Sequence, residues 1–319
     1  MSMSSAKPKR ETQSFASVAP TSAQSRSSKS PRQGRVQANG IEFAFLELGT
    51  GPLALCLHGF PDTARTWRYL LPELAEAGYR AVAPFMRGYA PSGLSKDRSY
   101  GLNDLAGDAV ALHETLGGDE QAVLIGHDWG AETTYEAALL APTRWSTLVT
   151  LAVPPAALDD HLFADYDQLK RFFYLFFFRT ETAEVVVSKD EMLFLERLWS
   201  DWSPGYDATE DLASVRESLT ERDHLAAALA YYRSESEQQG PYLTVPQPTL
   251  YLHGARDGCI DVALVSGCET YLGAGSRVVL VQEAGHFLHL ERPDFVNEHV
   301  INWVTSATPI SSTVLDPGD

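Results

Sequence analysis

The sequence predicts an α/β fold: a mostly parallel β-sheet flanked by helices, with a helical cap inserted after the sixth strand. Three observations carry this. Short, continuously apolar runs alternate with helical segments through most of the chain, the rhythm of a parallel sheet covered on both faces. Strand-like runs vanish over 154–245 and resume afterwards. A glycine-flanked turn, Gly126-His127-Asp128-Trp129-Gly130, joins the apolar run 122–125 to the helical run 131–140.

Taken in order, residues 40–48 alternate weakly and read as an early strand, closed by Gly49-Thr50-Gly51-Pro52. Residues 53–57 are apolar throughout, as in a strand buried on both faces, and end in His58-Gly59-Phe60-Pro61. A helix follows over 67–77, a strand over 81–84 and a loop over 87–93. Residues 102–116 are helical, with Asn103 as a cap. The turn at Asp128 and its helix come next, then a strand over 147–151. The block 154–245 is helical and aromatic, most strongly in 172–178, 193–202 and 225–232. Strands return at 249–252 and 277–281, and Pro293 opens a closing helix to 304. The domain reading is a core of 36–153 and 246–306 and a cap of 154–245, with a disordered tail over 1–35 and a C-terminal tail over 307–319.

The first 35 residues hold seven basic residues against Glu11 alone, a net +6. The whole chain carries −17, so the rest carries −23. The tail lacks the apolar residues that offset ordering entropy, and it lacks the apolar segment of a secretory signal. So acidic a body argues against a nucleic-acid partner. No stretch approaches 18 apolar residues, so no transmembrane segment is expected. Cys56, Cys259 and Cys268 have no metal-like spacing and read as free thiols of a cytoplasmic protein. No metal and no cofactor is expected.

Asp128 sits where the strand-to-helix elbow of a lipase or esterase carries its serine. A carboxylate there attacks a strained or activated sp3 carbon and becomes an alkyl ester, which must then be hydrolysed. Such a string also occurs as a plain turn; the strand before and the helix after favour a nucleophile. In α/β hydrolases the chain order is nucleophile, acid, histidine. Asp257 follows the strand at 249–252 and His286 follows the strand at 277–281. His286 reads as the general base that activates water, and Asp257 as the acid that orients it, with Asp261 the nearest competitor. The chain has nine histidines; His113, His161, His224 and His299 fall in helical or cap segments, His289 in a departing one, and His127 sits beside the nucleophile but points elsewhere. The backbone N–H groups of Phe60 and Trp129 suit an oxyanion hole, with the side chain of His58 structural.

Together these residues resemble the α/β-hydrolase-fold epoxide hydrolase family. The matching pieces are His58-Gly59-Phe60-Pro61, Arg87-Gly88-Tyr89, Gly126-His127-Asp128-Trp129-Gly130, Gly254-Ala255-Arg256-Asp257 and Gly285-His286-Phe287, which span most of 40–306. The resemblance implies an α/β-hydrolase fold and conversion of a lipophilic small-molecule epoxide and water to a vicinal diol through a covalent aspartyl ester. It also implies two cap tyrosines that hold the epoxide oxygen and donate a proton. Tyr232, directly before Arg233, fits the second. The run 172–178 contains the first, at Tyr174; counting from Ala183-Glu184 would put Phe173 there instead. Phe85 departs from the family pattern, which has an acid two residues before Arg87, and only a structural consequence is expected. Haloalkane dehalogenases share the Asp elbow and the following Trp, but they stabilise halide with side-chain donors, which Phe60 does not offer. A non-catalytic interaction protein of this fold is the remaining alternative, and such proteins lose one or more of the residues that are all present here.

Overall fold

The computed structural model describes residues 30–234 and 243–307, so the readings of the chain before residue 30 and after residue 307 lie outside the described residues. Eight strands form one sheet: β1 (Arg32–Ala38), β2 (Ile41–Leu48), β3 (Leu53–Leu57), β4 (Arg80–Pro84), β5 (Val123–His127), β6 (Thr147–Leu151), β7 (Thr249–Gly254) and β8 (Arg277–Val281). Their order is β1-β2-β4-β3-β5-β6-β7-β8. β2 runs antiparallel to β1 and β4, and every other neighbouring pair is parallel. Every residue of β3, β5, β6 and β7 is buried, which is why these strands read as unbroken apolar runs.

The helices of the first half are α1 (Leu70–Glu76), entered through a 3-10 turn over Ala64–Tyr69, then α2 (Leu102–Thr115) and α3 (Trp129–Leu140). Between β6 and β7 the described residues hold no strand. They form α4 (Asp159–Leu162), α5 (Tyr166–Arg171), α6 (Phe173–Phe177), α7 (Ala183–Val187), α8 (Leu193–Trp202), α9 (Thr209–Leu219) and α10 (Arg222–Ala230). α11 (Leu288–Glu291) and α12 (Pro293–Ala307) close the chain.

One expectation is corrected. β1 begins at Arg32, inside the segment assigned to a disordered tail ending at residue 35. Its sequence, Arg-Gln-Gly-Arg-Val-Gln-Ala, is polar because it is an edge strand with most residues exposed. Cross-strand ion pairs Arg32–Glu47 and Arg35–Glu42 help hold it to β2. The overlooked signal is Asn39-Gly40. Both residues sit at positive φ, 44° and 75°, as a two-residue hairpin requires.

The helical block between β6 and β7 is fastened over the carboxyl ends of the strands. Trp199 donates from Nε1 to the Pro61 carbonyl at 2.9 Å, and Tyr231 Oη donates to the Arg87 carbonyl at 2.8 Å. The Trp202 carbonyl, at the end of α8, accepts the amides of both Gly258 and His286 at 3.0 Å. Ser203 Oγ accepts the Phe287 amide, also at 3.0 Å.

Arg87 meets its charge in the core. Its Nε and Nη2 each lie 2.6 Å from an oxygen of Asp108 on α2, and both side chains are buried. This two-point pair supplies the acid that Phe85 does not. Removing Asp108 leaves the buried guanidinium with Asp104 at 3.9 Å as its remaining carboxylate, without the two-point pair. Asp108→Ala is therefore expected to destabilise the fold by about 3–5 kcal/mol, read from chemical-denaturation midpoints.

Candidate active site

Asp128 follows β5 and caps α3 at φ 52°, ψ −121°. A non-glycine residue holds this conformation only where its surroundings over-determine it. Here they do. A Cβ on Gly126 would lie 2.0 Å from the Gly130 carbonyl oxygen, and one on Gly130 would lie 2.1 Å from that of Leu57. Only glycines allow the elbow to close this tightly. The turn lifts the Asp128 carboxylate to the first turn of α3, where unpaired amides and the positive dipole end favour an anion. The Phe60 amide, just past β3, donates to Asp128 Oδ1 at 2.7 Å. Trp129 opens α3, so its amide is among those the helix leaves unpaired.

His286 follows β8 and Asp257 follows β7, on the same edge of the sheet as Asp128. His286 Nδ1 lies 3.0 Å from Asp257 Oδ2. A carboxylate only accepts, so Nδ1 carries a proton and Nε2 is left facing Asp128. Nε2 is 3.5 Å from Asp128 Oδ2, and it has no hydrogen-bond partner among the described residues. The other Asp257 oxygen accepts the amides of Cys259 at 2.7 Å and Ile260 at 2.9 Å. The competitor Asp261 is turned away, its carboxylate 2.7 Å from Arg171 Nη2.

Asp128, Trp129, Tyr174 and Tyr232 line one cavity of about 340 Å³. The rings of Tyr174 and Tyr232 meet edge to face, with centroids 5.8 Å apart, and Tyr232 also packs on Phe60 and Trp129. The Tyr174 hydroxyl lies 3.3 Å from Cys259 Sγ, whereas the buried Tyr232 hydroxyl has no hydrogen-bond partner among the described residues. Phe173, the alternative to Tyr174, is 47% exposed and does not line the cavity. Two arginines tie the tyrosine segments together. Arg179 Nε donates to the Tyr232 carbonyl at 2.8 Å, and Arg233 Nε to the Phe178 carbonyl at 2.7 Å.

Residues 52–293 match the family model for the alpha/beta hydrolase fold. Epoxide hydrolase 3 of Xenopus tropicalis is 30% identical over 284 residues, covering 83% of this chain and 75% of that protein. Epoxide hydrolase 3 of Siraitia grosvenorii is 30% identical over 310 residues, covering 84% and 96%. The chain belongs to the α/β-hydrolase-fold epoxide hydrolase family. Among solved structures, an inhibitor complex of Bacillus megaterium epoxide hydrolase superposes with a TM-score of 0.76 at 25% identity, covering 85% of this chain and 100% of that one. The chain is a hydrolase, and among the described residues no helix is long and apolar enough to cross a membrane.

Family membership directs attention to the protons of the site. Burial alone would strip the proton from His286, but Asp257 and Asp128 outweigh it and push the imidazole up to about 10. Burial pushes Asp257 up, but His286 and the loop amides outweigh this and hold it below the usual carboxylate range. Burial raises both Tyr174 and Tyr232, reinforced by neighbours that include Asp128, so both phenols keep their protons.

Sequence reading missed the layer beneath His286. The His127 ring nitrogen Nε2 lies 3.0 Å from the His286 carbonyl. His289, read as part of a departing segment, is buried with its ring centroid 4.6 Å from that of His127. Burial and neighbouring imidazoles push His127 down to about 3 and His289 well below its ordinary value, so this floor is polar but uncharged. The available signal was the three-residue spacing from His286, which returns a side chain to the same side of a helical turn.

The raised value for His286 fixes a stability effect. The folded chain holds this proton more tightly than the unfolded chain. The contribution is therefore complete below about pH 6.5 and lost as pH climbs to about 10. Over that interval the Tm of the wild type should fall further than that of His286→Asn, whose amide does not titrate. Parallel Tm curves would refute the assignment.

Proposed function

We propose that this hydrolase opens lipophilic epoxides to vicinal diols through a covalent ester on Asp128. The observation that carries the reading is the buried, unpartnered Tyr232 hydroxyl on the same cavity as the Asp128 carboxylate. An epoxide has ring strain but a poor leaving group, so it needs a nucleophile on carbon and a proton at oxygen.

In the first step an Asp128 oxygen attacks an epoxide carbon and the carbon–oxygen bond of the ring breaks. Tyr232 and Tyr174 hold the departing oxygen, and one phenol protonates it. Esterification removes the Asp128 charge. That charge is one of the two that hold the proton on His286, so the imidazole becomes easier to deprotonate, and its proton restores the tyrosine. Neutral His286, oriented by Asp257, then takes a proton from water, and the hydroxide attacks the ester carbonyl carbon. The oxyanion meets the amides of Phe60 and Trp129. Collapse expels the diol and restores the carboxylate. In this reading 154–245 is a cap that carries the proton donors, while 36–153 and 246–306 form a core that carries the nucleophile, base and acid. A haloalkane would need a side-chain donor for halide at the turn after β3, and Phe60 has none.

A single turnover in ¹⁸O water, with enzyme in excess, should give unlabelled diol and place the label in the Asp128 carboxylate. Label wholly in the first diol would mean direct attack by water. In His286→Gln the ester should form but hydrolyse slower by about 10²–10⁴, so intact-mass spectra should show an adduct of substrate mass. Only free protein at steady state would count against the covalent route.

A further inference from the structure

The cavity wall contributed by α3 is acidic. Asp128, Glu132 and Glu136 fall four residues apart, so they share one helix face, each about 6 Å beyond the last. All three line the cavity, as does Asp159 from the start of α4. Much of the remaining lining is apolar, including Phe163, Phe172, Leu175 and Phe176. Among the described residues, Arg179 is the one basic residue on the lining, and it is exposed.

The side chains of Glu132, Glu136 and Asp159 are each partly buried, and no basic group among the described residues offsets them. Burial, with the charges of Asp159 and Asp128, pushes Glu132 up to about 8. Burial, with Asp160, pushes Asp159 up to about 6. Like charges one helical turn apart repel and a half-buried setting denies them full hydration, so Glu132 keeps its proton near neutral pH unless a cation arrives. A second group faces the same space unfilled: the Tyr232 hydroxyl, 7% exposed and without a hydrogen-bond partner among the described residues. The cavity thus presents a hydrogen-bond donor near the nucleophile and, along the wall leading from it, carboxyl groups without a counter-charge among the described residues.

We propose that Glu132, with Glu136 and Asp159, selects lipophilic epoxides that carry a protonated amine one to two helical turns, about 6–12 Å, from the reacting carbon. The inference rests on the reading of Asp128 as the nucleophile, which fixes where the epoxide lies. An ammonium ion there supplies the missing counter-charge, so Glu132 releases its proton and pairs with it, while the hydrocarbon of the substrate lies against the phenylalanine wall.

The test uses two unreactive probes of equal length, 4-phenylbutylamine and 4-phenylbutan-1-ol, titrated calorimetrically into the full chain. The ammonium should bind at least about tenfold more tightly than the alcohol, a difference of about 1.4 kcal/mol. That ratio should fall to about twofold or less in Glu132→Gln and should also fall in Asp159→Asn. Equal affinities in the wild type would overturn the proposal, as would a preference that survives both substitutions. The wild-type ratio does not depend on either variant folding. Because neither probe has an epoxide, binding is read apart from turnover. An ammonium preference without diol formation would sink the covalent reading and uphold the acidic wall. Diol formation without the preference would do the reverse.

Discussion

A carboxylate held at the mouth of a helix and facing a cavity, at a backbone conformation that side chains rarely adopt, is the constraint around which this molecule is arranged. The positive φ of Asp128 is sustained by two glycines that let the β5–α3 elbow lie against the end of β3. That close approach also brings the Phe60 amide to 2.7 Å from the carboxylate. The parallel sheet then sets the ends of β7 and β8 on the same edge as that of β5, across β6, so Asp257 and His286 arrive from residues far away in sequence. Ordinary sheet register does most of the assembly.

Electrostatics follow from that placement. A single imidazole lies between two carboxylates, one anchored by loop amides and one open to the cavity. The histidines below it are kept neutral by burial, so His286 answers chiefly to those two acids. In the proposed reaction only the cavity-facing acid changes charge, and the histidine's affinity for its proton changes with it.

Much of this was legible in the sequence, for physical reasons that differ from part to part. β3, β5, β6 and β7 are buried on both faces, so composition alone reveals them. The elbow glycines and the chain order of Asp128, Asp257 and His286 are local signals. β1 was not read because an edge strand with a solvated face has no apolar pattern, and its marker is a single Asn-Gly pair. Choosing between Phe173 and Tyr174 from the chain needed a helix phase that a run of aromatics does not supply; in the fold the tyrosine is buried and the phenylalanine is half exposed. Glu132 was visible at the fourth residue after Asp128, but its lack of a counter-charge is a property of the folded cavity.

The Trp202 carbonyl receives the amides of Gly258 and His286 at once, and a Cβ on Gly258 would lie 1.9 Å from the Asp201 oxygen. The end of α8 is thus a keystone between the helical block and the two loops that carry the acid and the base. Swinging that block away as a rigid lid would unseat both loops, so traffic of reactant and product belongs to the mouth of the cavity. Chimeras that graft a foreign helical block onto this sheet must transplant residues 201–203 together with 256–258 and 285–287 as one unit.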